Sequence, residues 1–127
     1  MNNSELNDKV KELRSEEIIW LIYIGIIALS FYSNKLERDY FINNNVKSKE
    51  KYTNVMVFIF LVLLIVYMYF AKTSLDDVKN LNYNDSNEKK NLTYLSFMGS
   101  FLILISGVIF LYIAIQDENL DVELAFN

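Results

Sequence analysis

The sequence predicts an all-α membrane protein: three transmembrane helices with a short N-terminal amphipathic helix, forming one membrane domain over residues 1–127. Three observations carry that expectation. The runs 18–32, 55–71 and 92–115 are almost purely aliphatic and aromatic, and every charged residue lies outside them. Each run is apolar all round, whereas a helix on a soluble domain shows a stripe of three or four apolar positions per two turns. Nine tyrosines in a chain that is 15% aromatic suit the headgroup level of a bilayer, where a ring with one polar end settles.

The elements follow in order. Residues 1–17 read as a soluble helix: Ser4 is a plausible N-cap, and Leu6, Val10 and Leu13 repeat at helical spacing between charges. Such a stripe lies on a membrane surface or leads directly into the first span. Acidic Glu16 and Glu17 directly before the apolar run, with no small-residue cleavage site after it, argue against a cleaved signal peptide. The first span, 18–32, reaches only roughly 22 Å, short of a ~30 Å hydrocarbon core. Its interfacial anchors are Trp20 and Tyr32, and the helix could continue through Leu36 and Tyr40 with Lys35 and Arg38 snorkelling.

Residues 33–54 form the first loop, with a polar break at Asn43, Asn44 and Asn45. The second span, 55–71, holds neither Gly nor Ser and closes on Tyr67, Tyr69, Phe70 and Lys72, an aromatic belt followed by a snorkelling base. In the second loop, 72–91, Ser74 with Asp77 fits a capping box for a short helix over 75–81. The third span, 92–115, is about 36 Å long and should tilt. The tail, 116–127, has four acids and no base.

Composition removes much chemistry. With neither Cys nor His, thiolate or histidine metal sites, haem ligation by either residue, Cys nucleophiles and His general bases are excluded. The expectation is no enzyme, no cofactor and no metal. Asp117, Asn119, Asp121 and Glu123 alternate like the start of a calcium loop, but Val122 occupies the position that needs Gly. A net charge of −4 without a basic block argues against nucleic acid as a partner. Abundant Asn, Ile, Lys, Tyr and Phe without Pro points to an AT-rich genome, in a bacterium, a phage or a large DNA virus. Asn2, Asn84 and Asn91 stand in glycosylation sequons, which matter only on a eukaryotic secretory route.

The third span carries the one distinctive pattern. Ser96, Ser100, Ile103, Gly107 and Ala114 share a narrow helical stripe, with Gly99 and Ser106 beside it. Small residues let a neighbouring backbone approach closely, so dispersion replaces the hydrophobic drive that lipid removes. Gly25 and Ala28 make a smaller match on the first span, so span three is expected to pack on span one. The second span offers no such match and is expected to face lipid on more of its surface. No ionisable residue lies inside a span, which argues against proton or ion transport.

Lys89 and Lys90 precede the last span and nothing basic follows it. The positive-inside rule then places the N-terminus in the cytoplasm and the C-terminus outside, although five bases in the first loop pull the other way. The functional expectation is a membrane subunit, scaffold or assembly factor whose partners are the bilayer, a second copy or another membrane subunit. The alternatives are a pore former or an immunity-type protein. In size and span number the chain is similar to a phage holin, but its tail is acidic where holin tails are basic. That likeness covers architecture alone and transfers no residue.

Overall fold

The structure, a computed structural model, describes residues 2–124. It is all-helical: α1 is Asn3–Asn43, α2 is Val46–Lys79 and α3 is Asn87–Gln116. All three helices are long and apolar enough to cross a membrane. The last three residues of the expected acidic tail, 125–127, lie outside the described residues.

The helices are longer than the apolar runs within them. The expected N-terminal amphipathic helix is the opening of α1, continuous with the first apolar run. Its N-cap is Asn2, not Ser4. The Asn2 side chain accepts from the Glu5 amide at 2.8 Å, and the Glu5 carboxylate accepts from the Asn2 amide at 3.1 Å, which satisfies two end donors reciprocally. The expected first loop is largely helical as well, reduced to Asn44 and Asn45. Asn44 takes the left-handed conformation (φ 52°, ψ 35°) that ends α1, a geometry Asn tolerates. Asn45 then caps α2, accepting from the Lys47 and Ser48 amides. The short helix expected over 75–81 is the last part of α2, and Ser74 sits inside that helix instead of capping it.

α2 is the central element. Met56, Ile59 and Phe60 are fully buried and Leu63 nearly so, all on α2. α1 lays Ile19, Ile26, Ser33 and Leu36 against it, with Ile22 and Leu29 packed between them. This is the three-and-four spacing of a left-handed seam. α3 packs on another side of α2, and no Cα of α1 comes within 8 Å of α3. Span three therefore packs on span two, and the helix expected to face lipid most is the one most covered. Chain connectivity explains this: a two-residue turn and the short 80–86 connection each force sequence neighbours to lie side by side.

Side-chain contacts set the register. Ser48 meets Asp39, Phe60 stacks on Phe110 with ring centroids 5.8 Å apart, and Ser74 meets Ser100. At one end of the bundle the first charges on the helices, Lys35, Lys51 and Asp117, then stand within about one turn of a common level. At the other end Glu17 of α1 and Lys72 of α2 are level, but α3 stays uncharged for about ten residues more, roughly 15 Å, back to Lys90.

Candidate interaction surfaces

The α2–α3 seam is built on small residues of α3. Ser100, Gly107 and Ala114 recur every seventh position and turn toward α2. Gly107 and Ala114 are buried. The Tyr67 ring occupies the space a side chain at Gly107 would need: a Cβ there would stand 2.9 Å from Tyr67 Cδ2 and 3.4 Å from Leu64 Cδ2. Tyr67, expected as an interfacial anchor, is instead buried in this seam, because only the missing side chain at Gly107 leaves it room. Two turns further along, the Ser74 and Ser100 hydroxyls share a hydrogen bond of 2.9 Å, a polar link between two otherwise apolar faces.

The other small residues turn elsewhere. Ser96, Gly99 and Ser106 are exposed. Nothing lies within 4 Å of a Cβ placed at Gly99, and the Ser106 hydroxyl donates to its own helix at the Leu102 carbonyl, 3.0 Å away. Gly25 and Ala28 are exposed on α1, and Gly25 also has open space around it. Of the other residues expected as anchors, Trp20 and Tyr32 are exposed, Trp20 edge-on to Tyr23 at 5.7 Å. Tyr69 is half-buried beside Phe70, and Lys72 is exposed.

Because no Cα of α1 comes within 8 Å of one in α3, a cleft opens between them over α2. One part, of about 280 Å³, is lined by Tyr23, Phe60, Tyr67, Ile103, Ser106, Gly107 and Phe110. A second, of about 130 Å³, continues past Tyr23 and Tyr67 to Phe70 and Ser100. Its walls are aromatic and aliphatic with a few hydroxyls, so it can hold apolar matter and offers no acid–base pair. Sequence reasoning did not find it. The signal was Gly107 together with Tyr67, one clearing space that the other fills only in part.

Two polar clusters hold the turns. Asp39 accepts from Asn43 Nδ2 at 2.7 Å, Asn45 Nδ2 at 2.8 Å and Ser48 Oγ at 2.5 Å, tying the end of α1 to the start of α2. Those bonds, led by that from Ser48, hold its carboxyl below the ordinary range, since each favours the charged form. Asp85 does the same for the second connection. It accepts from the Asn82 amide at 2.8 Å and from Lys89 Nζ at 3.3 Å, and it too is lowered, first by the Asn82 bond. After α3, the Asp117 carboxylate accepts from the Asp121 and Val122 amides, and Leu124 is buried. The part of the tail expected to resemble a calcium loop is thus folded onto the bundle. Among the described residues no group of His, Cys, Asp and Glu is placed to hold a metal ion.

The outward faces of α1 and α3 remain. Of the most apolar stretch of each, only 11% is buried within the chain. Leu6, Val10 and Leu13 near the start of α1, and Leu92 and Leu95 near the start of α3, are all exposed. Compared with known protein families, curated proteins and solved structures, the chain matches none.

Proposed function

We propose that this chain is an integral membrane protein of structural or interaction type, a three-span subunit, scaffold or assembly factor without catalysis. The observation that carries this reading is the uncovered outer surface of α1 and α3. Lipid suits the middle of those surfaces. The exposed leucines beyond Glu17 and Lys72 stand past the level at which two of the three helices become charged, where a protein partner suits them better. The absence of ionisable residues from the apolar stretches supports a role in contact over one in transport. The N-terminus lies in the cytoplasm and the C-terminus outside, supported by Lys89 and Lys90 before α3 and the acids after it.

Induced expression with a potential-sensitive dye tests the class. An interaction protein leaves the membrane potential intact, whereas collapse of the potential would assign the chain to the pore formers instead. Migration as a lone monomer in mild detergent, with no crosslinked product from its own membrane, would sink the interaction reading.

A further inference from the structure

Resting on that reading, we propose that the partner is a second copy of this chain, with the outer face of α1 in one copy packing on the outer face of α3 in the next. The argument begins with depth. Tyr23 of α1 lines the same cleft as Ile103, Ser106 and Gly107 of α3, so an α1 residue and the α3 residue about 82 positions later stand level, both helices rising about 1.5 Å per residue. α1 and α3 also run in the same direction, each antiparallel to α2. Copies sharing one membrane orientation therefore present these two faces parallel and at matched depth.

At that offset the exposed side chains pair. On α1, Leu13, Trp20 and Ile27 recur every seven residues at 45%, 64% and 56% exposure. On α3, Leu95, Leu102 and Ile109 do the same at 58%, 56% and 52%. Leu13 meets Leu95, Trp20 meets Leu102 and Ile27 meets Ile109, as like positions meet in a parallel two-helix seam. Between these rungs large residues face small ones. Ile24 stands opposite Ser106, and Glu17 stands opposite Gly99, where nothing crowds it. Two turns before the first of these rungs, exposed Glu88 of α3 reaches the level of Leu6, near Lys9 of the next copy, opposite in charge.

Both faces also carry apolar side chains past Glu17 and Lys72: Val10 and Leu13 on one, Leu92 and Leu95 on the other. Each overhang covers the other, which hydrocarbon ending near that level does not. Because both faces flank the cleft shared by Tyr23 and Ser106, α1 of each copy can meet α3 of the other at once, closing a two-fold pair about an axis along the membrane normal in which residue i meets j and j meets i.

Disulfide trapping in this Cys-free chain tests the proposal. Two differently tagged copies are expressed in one membrane, Leu13→Cys in one with Leu95→Cys in the other, and separately Ile27→Cys with Ile109→Cys. Matched pairs should link about tenfold more than the mismatched pair Leu13→Cys with Ile109→Cys. Adding Gly99→Leu should cut the Leu13–Leu95 product by a similar factor while circular dichroism shows the helices unchanged. Linking only between identical positions would overturn the proposal in favour of α1 packing on α1 or α3 on α3. If neither matched pair links but the chain still migrates in a larger complex, the second copy is refuted and the interaction reading stands. A monomer that links to nothing refutes both.

Discussion

Gly107 provides the sharpest test of the packing, because Gly99 on the same helix supplies its own control. At Gly107 an added Cβ meets Tyr67 Cδ2 at 2.9 Å, Tyr67 Cε2 at 3.2 Å and Leu64 Cδ2 at 3.4 Å, while at Gly99 it meets nothing within 4 Å. Overfilling a packed site of this kind costs about 1–3 kcal/mol. Replacing Gly by Ala inside a helix returns up to about 1 kcal/mol of backbone propensity, and that gain is common to both sites. It cancels in the comparison. Gly107→Ala should therefore be less stable than Gly99→Ala by about 1–3 kcal/mol, measured as unfolding in detergent followed by circular dichroism. Trimming the obstructing ring with Tyr67→Leu should make the Gly107→Ala change milder than it is in the native background. Equal stability of the two Ala variants would refute the claim that Tyr67 fills the place of a missing side chain.

The other predictions are shorter. A double-mutant cycle on Ser74→Ala and Ser100→Ala should give a coupling near 0.6 kcal/mol, the ordinary scale for a hydrogen bond between membrane helices, and additive effects would show that the bond contributes nothing. Asp39 has a folded-state carboxyl below its ordinary value, so the unfolded chain takes up the proton first as pH falls. Its stabilisation is complete above about pH 4 and is lost below that, through the depressed folded-state value. Asp39→Asn should flatten that acid limb in a pH series of detergent unfolding, leaving the slope from Asp85, and an unchanged profile would remove Asp39 from the account. For orientation, single cysteines at exposed Asn84 and Asn119 should react with an impermeant reagent at Asn119 alone in intact cells, and the opposite pattern would invert the topology.

The three helices were legible in the sequence because a run apolar on every side has one local solution, a helix that satisfies its own backbone. Their true lengths were not. Hydropathy ends where charge begins, but Lys, Glu, Arg and Leu continue a helix readily, so 33–43 and 72–79 stay helical until Asn breaks them. On α3, Ser100 and Gly107 meet α2 and Ala114 is buried, whereas a stripe of small residues in the sequence names no partner helix. A stripe records how close a neighbour comes, and only the short turns at Asn44–Asn45 and 80–86 decide which neighbour it is. Tyr67 was misread for a related reason: an aromatic ring near the end of an apolar run looks the same in sequence whether it faces a headgroup or a glycine on the next helix.

The two-residue turn between α1 and α2 also bears on how the protein is made. The apolar stretch of α1 is short for a bilayer, and Ile19, Ile26, Ser33 and Leu36 have no cover except α2. A nascent chain that has emerged only as far as Asn43 therefore holds a marginal anchor with its inner side bare. With so little slack at Asn44–Asn45, α2 is held beside α1, so whatever medium takes up one helix takes up the other with it.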